Sequence, residues 1–272
     1  MTPRCGVIRL AMMLALCFFV TTVLAQVGGV KVKGNWDIHN ATGQTAHDFH
    51  MDVYSDSNLN FISSVKGDFG SFEHSSSQFN PLVKKYHWSN GEVPHCTKTH
   101  IGLELWQKEK NKIVIQQAFW TDANGKKIPP LGGFVRLPGF EVTPWGAPPG
   151  GSSRATLRML NDMEDPMVIK NFSWSLMTTE TALPDLRFQS GGLGNSVGDF
   201  NLGAQSFFDV FTELEVKPDE FLLFQGQVYD DDGNYYGDFI YEHQHGTIPE
   251  PASLLLFATG LIPLGIRLRR RM

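Results

Sequence analysis

The chain has 272 residues, 42% of them hydrophobic and 19% charged, and a formal net charge of −5 at pH 7. That length holds one large domain or two ordinary ones, and an acidic balance argues against nucleic acid as a partner, because backbone binding needs gathered Lys and Arg. Twenty phenylalanines, frequent alternation and no sustained 3.6-residue apolar stripe point to an all-β fold.

Residues 1–25 read as a secretory signal. Arg4 and Arg9 give the basic start, Leu10 to Val20 the apolar centre, and Val23-Leu24-Ala25 the small-residue cleavage site. Cleavage before Gln26 removes Cys5 and Cys17, which leaves Cys96 as the single thiol and rules out an intrachain disulfide. A lone thiol in an oxidising compartment is expected to be buried, where it acts as a small apolar group. Residues 26–248 keep 17 basic and 27 acidic residues, a net charge of −10.

The strands expected in chain order begin with Lys31–His39, a turn at Asn40–Gly43, and His47–Tyr54, in which Phe49, Met51 and Val53 share one face and His50, Asp52 and Tyr54 the other. Asn60–Val65, Lys84–Trp88, Ile101–Trp106 and Lys112–Trp120 follow, then a turn at Asp122–Gly125. From Ile128 to Gly151, six prolines and six glycines fall in 24 residues and argue against a regular ladder, so 128–151 reads as a linker. Beyond it come Ala155–Leu160, Val168–Met177, a glycine-rich loop over Gly191–Gln205, Phe207–Val216, Phe221–Tyr229 and Tyr235–His243.

A faint internal repeat accompanies this division. Ile38-His39-Asn40 is answered by Met159-Leu160-Asn161, and Gln116–Asp122 by Gln225–Asp231. The expected architecture is therefore two tandem immunoglobulin-like antiparallel β-sandwiches, 26–127 and 152–247.

Four constellations could carry chemistry. His87, His95, Cys96 and His100 fall within fourteen residues and offer a thiolate and imidazoles to copper or zinc, with His39, His47 and His50 nearby; solvated histidines are the alternative. Asp230, Asp232 and Asp238 surround a Gly-Asn turn and offer oxygen to calcium, although Gly233-Asn234 is already explained as hairpin chemistry. Gly194-Asn195-Ser196-Val197-Gly198 fits the G-x-S-x-G pattern of a hydrolase, but no helix follows to make a nucleophile elbow. Among the tryptophans available for sugar stacking, Trp120 and Trp174 alternate as core residues and Trp145 is the surface candidate. No cofactor is expected.

The C-terminal stretch carries the most specific signal. Pro249-Glu250-Pro251 precedes an uncharged apolar run from Leu254 to Ile266, and Arg267, Arg269, Arg270 and Arg271 close the sequence. These arginines mark the cytoplasmic end of a transmembrane helix, so the body lies across the membrane. As a helix the run reaches roughly 20 Å, short of the ~30 Å hydrocarbon core. The combination resembles the PEP-CTERM sorting domain. That resemblance implies export through the Sec machinery and recognition of the tripeptide by an exosortase-type enzyme. It also implies delivery to the cell surface or to an exopolysaccharide matrix. The expectation is a non-enzymatic surface protein; a plain tail anchor, a secreted glycan- or metal-binding module, and a hydrolase using Ser196 are the alternatives.

Overall fold

Alternation governs the local structure. In Asp48–Tyr54, Phe49, Met51 and Val53 are buried while His50 and Tyr54 are partly open, as a period of two requires when one face meets a core. The computed structural model describes residues 29–107, 112–128, 134–143, 153–217 and 219–245. The expected signal peptide, Pro249-Glu250-Pro251, the C-terminal apolar run, its arginines and Trp145 lie outside the described residues. No helix among the described residues is long and apolar enough to cross a membrane.

The strands are β1 (Val30–His39), β2 (Asp48–Tyr54), β3 (Leu59–Val65), β4 (Phe69–Ser76), β5 (Val83–Gly91), β6 (Lys98–Gln107), β7 (Lys112–Thr121), β8 (Gly139–Thr143), β9 (Ser153–Asn161), β10 (Met167–Met177), β11 (Asn195–Leu202), β12 (Ser206–Val216), β13 (Phe221–Tyr229) and β14 (Tyr235–His245). They form two antiparallel seven-stranded sheets. The first runs β11-β10-β13-β14-β1-β6-β3 and the second β12-β9-β8-β7-β2-β5-β4. Their inner faces enclose one apolar core, in which Phe49, Trp88, Trp120, Phe140, Phe172, Phe224, Phe239 and Tyr241 are fully buried. Bonds tie the two layers together, among them the Trp88 indole N–H to the Val65 carbonyl (3.0 Å), the Asn161 side-chain amide to the Leu202 carbonyl (3.2 Å) and the Tyr241 hydroxyl to the Pro138 carbonyl (2.7 Å). The fold is an all-β sandwich.

The expected tandem pair is corrected by the pairing. Strands β1–β7 do occupy one side of the molecule and β8–β14 the other, but each sheet continues across the seam. In the first sheet β1 pairs with β14 from Val30↔His245 to Ile38↔Gly237. In the second, β8 joins β7 through Lys112↔Glu141 and Ile113↔Phe140, and then pairs with β9. Residues 29–246 accordingly form one unit. The stretch expected as a linker supplies that joining strand: Ile128, Val135, Leu137, Phe140 and Val142 are buried, so its apolar residues outweigh the prolines around them.

Beyond β10 the chain crosses the outer face of the first sheet through a 3-10 turn, Leu183–Asp185. Side chains of the sheet hold this strap. Asn35 donates to the Leu183 and Leu186 carbonyls (2.6 and 2.7 Å), and Gln225 exchanges two bonds with the Gln189 backbone (2.9 and 2.7 Å). Glu242 accepts from the Thr181 N–H (2.9 Å) while Lys33, 2% exposed, donates to the Thr181 carbonyl and pairs with Glu242 at 2.9 Å. Leu186 packs on Leu223 and Ile240 beneath it.

Candidate functional site

The outer face of the second sheet brings two histidines, His50 and His87, together. Because Phe49 and Met51 point into the core, Asp48 and His50 point out. Strand β5 alternates likewise, Tyr86 and Trp88 inward and His87 outward, and the β2–β5 register sets His50 directly opposite His87. On the other side β7 places Phe119 opposite His50 and Thr121 opposite Asp48.

These side chains form a row. His50 stacks on His87 with ring centroids 4.0 Å apart and on Phe119 at 4.7 Å. Lys127 lies 3.8 Å over the Phe119 ring and 5.0 Å from that of Phe134, which is exposed. The Asp48 carboxylate is oriented by two donors, the Thr121 hydroxyl to Oδ2 (3.1 Å) and the Asn90 N–H to Oδ1 (3.2 Å). His87 Nε2 stands 3.9 Å from Asp48 Oδ2, beyond hydrogen-bond reach, and is buried without a partner. Burial, then the neighbouring His87, Lys127 and Lys85 against the pull of Asp48, push His50 down to about 4, so its imidazole is neutral at ordinary pH. The donor atoms of Asp48, His50 and His87 all lie within 4.8 Å of one another.

The expected metal set is not assembled. Of its members only His87 belongs to this cluster. His95 and Cys96 lie in the turn after β5, where His95 Nδ1 accepts from the Gly43 N–H (3.0 Å). His100 is on the outer face of the first sheet, on the far side of the core, with Nδ1 2.6 Å from Asp37 Oδ1. Cys96 is exposed rather than buried, at a φ of +63°, because it sits at the tip of a turn and not in a strand. His50 was a neighbouring candidate, and Asp48 is new. The outward phase of both was legible from β2 alone, but their meeting with His87 depends on which strand lies beside β2.

The expected calcium set also disperses. Asp230 closes its own turn, accepting from the Asn234 N–H (2.7 Å) and side-chain amide (2.8 Å). Asp238 is held on the first sheet by Lys98 (2.8 Å) and Gln227 (2.9 Å), and Asp232 is exposed. Ser196 lies within β11, paired with Ser173, so the strand-turn-helix setting of a nucleophile elbow is absent there. Trp88 and Trp120 are core residues, and Trp174 packs on Phe211 with centroids 4.9 Å apart. Where β3 and β4 end the two sheets, a cleft of about 440 Å³ opens between them, lined by Phe61, Tyr86, His74, Asn60, Ser75 and Lys84 among others. Aromatic rings beside polar side chains can both stack on and hydrogen-bond a polar ligand.

Compared with known proteins, the chain matches no family model and no curated protein.

Proposed function

We propose that this chain is an exported, non-enzymatic surface or extracellular-matrix protein, sorted by its C-terminal signal and associated with exopolysaccharide. One observation carries the proposal: Pro249-Glu250-Pro251, an uncharged apolar run and a terminal arginine cluster follow in that order, behind a body preceded by a signal-like N-terminus. The body fits such a role. It is a single sandwich within a segment, 26–248, of net charge −10, and the open cleft between β3 and β4 offers rings and hydroxyls of the kind that contact sugars. Its partners in this scheme are the Sec machinery, an exosortase-type enzyme acting at Glu250, and the polysaccharide itself. Prolines on both sides of Glu250 keep the tripeptide out of a helix and extended for a processing site.

Replacing Pro249, Glu250 and Pro251 together by alanine tests this directly. Wild-type chain is expected to lose the Arg269-Arg270-Arg271 tail and to co-fractionate with exopolysaccharide, while the variant stays full length in the membrane. Equal retention of the tail in both would reduce the segment to a plain anchor.

A further inference from the structure

We propose that Asp48, His50 and His87 bind one borderline divalent transition-metal ion, with Zn²⁺ the simplest occupant, on the outer face of the second sheet. The inference does not depend on how the chain is sorted.

Register brings the donors together. His50 and His87 are directly opposite on neighbouring antiparallel strands, and Asp48 is two residues before His50 on the same face. The facing pair starts about 5 Å apart at Cβ and Asp48, diagonal to His87, about 7 Å away, still within reach of these side chains without loop rearrangement. An ion with bonds of about 2.0–2.1 Å to imidazole nitrogen and carboxylate oxygen sets tetrahedral ligands about 3.3 Å apart. The present separations, 3.9 Å for His87 Nε2 to Asp48 Oδ2 and within 4.8 Å for the set, close to that value by rotation of side chains that are only partly buried.

Three features distinguish the cluster from histidines that merely face solvent. His87 Nε2 is buried without a hydrogen-bond partner and faces the Asp48 carboxylate across a gap too long for one. The carboxylate is fixed by Thr121 and Asn90, as the groups behind a metal ligand fix its orientation, and accepting those bonds still leaves it lone pairs to give. His50 is packed between His87 and Phe119, which restricts its ring, and a tilt out of the near-parallel stack turns its lone pair towards the one that His87 presents.

Donor chemistry selects the ion. Two imidazoles and one carboxylate suit zinc, copper, nickel or cobalt, whereas calcium and magnesium want an all-oxygen shell. Three protein ligands leave at least one position open, the arrangement of a site that accepts water or an outside ligand. Lys85 and Lys127 bring positive charge to the same face, opposed by Glu73 across from His87 in β4, so affinity should be moderate rather than that of a closed structural site.

The test uses the full-length, tag-free chain in detergent, stripped with chelator and titrated with ZnCl₂ by calorimetry. The expected result is one ion per chain at micromolar Kd, weakened at least tenfold in Asp48→Asn and in His87→Gln but unchanged in His95→Ala. Zinc should raise the Tm of wild type and not that of the two site variants, whose metal-free Tm and circular dichroism show that they fold. Cobalt substitution should give visible bands of a four-coordinate ion that disappear in His87→Gln. Binding unchanged by Asp48→Asn and His87→Gln, or absent below millimolar zinc, would overturn the proposal and leave the gap to a bridging water.

Discussion

Asp230 shows what a single carboxylate does in this fold. Its backbone N–H donates to the Asn234 carbonyl, its carbonyl accepts from Gly233, and its side chain accepts from Asn234. Burial pushes its pKa up, but the Asn234 bonds and Arg136 outweigh that and hold it below the ordinary carboxylate range. A carboxyl depressed on folding adds stability above its unfolded pKa of about 3.9, and that stability is lost as pH falls through the lower folded value. Asp230→Asn keeps an acceptor for the Asn234 N–H and removes the charge. It should therefore cost on the order of 1 kcal/mol at pH 7, and the gap to wild type should shrink below about pH 4 as the wild-type charge titrates. Urea unfolding of both forms at pH 7 and pH 3 measures this; a gap that does not narrow would remove the charge from the explanation.

At this scale the first pair of the sequence repeat recurs in the structure, while the second is one residue out of register, since Asp122 is matched by Asp230 and not Asp231. Asn40 and Asn161 both accept from the N–H two residues on and donate to the carbonyl four residues on. Asp122 and Asp230 likewise build one turn, each with its carbonyl bonded to a glycine N–H and its carboxylate to the N–H four residues on. Such turns depend on a few adjacent residues, so they can be read from sequence. They do not reveal how many domains they serve.

At the scale of elements, the expected strands are present, and two of the strands that the sequence does not announce share a cause. β4 and β11 are the outer strands of their sheets at opposite ends of the sandwich. An edge strand pairs on one side only and needs little apolar alternation; β4 ends in exposed His74-Ser75-Ser76, and β11 contains Gly198 at a φ of +87°. β8 was hidden by its flanking prolines. The strap was not legible either, because the residues that hold it, Lys33, Asn35, Gln225 and Glu242, look in sequence like the solvent face of their strands. Burying Lys33 and Glu242 beneath it makes the pair costly to break singly. Glu242→Leu should cost about 3 kcal/mol or more, since it leaves Lys33 without its buried partner, and Lys33→Met should cost a similar amount. Made together, the two changes should cost clearly less than their sum. Denaturant unfolding of the four forms is the check, and simple additivity would mean that the two charges do not act as a pair.

For the whole molecule, the chain passes from one side of the sandwich to the other near residue 128, but no domain boundary lies there. Halves on either side of it share both sheets because β1, the first strand described, lies beside β14, the last, in one sheet, and β7 beside β8 in the other. Nothing local to β1 announces β14 as its neighbour, which is why a chain with readable strands had an unreadable assembly. The same pairing sets Val30 opposite His245 at one end of the seam strands.

The central functional claim is that this sandwich stands outside the cytoplasmic membrane, and Cys96 gives a direct probe of it. The thiol is exposed in the turn between β5 and β6, and the other cysteines, Cys5 and Cys17, fall in the segment assigned to the signal. Spheroplasts carrying the membrane-held chain, briefly reduced, are treated with a membrane-impermeant maleimide before or after lysis, with Cys96→Ser as the background. Labelling in intact spheroplasts should equal that after lysis and be lost in Cys96→Ser; labelling of Cys96 only after lysis would place the sandwich in the cytoplasm and contradict the proposed export.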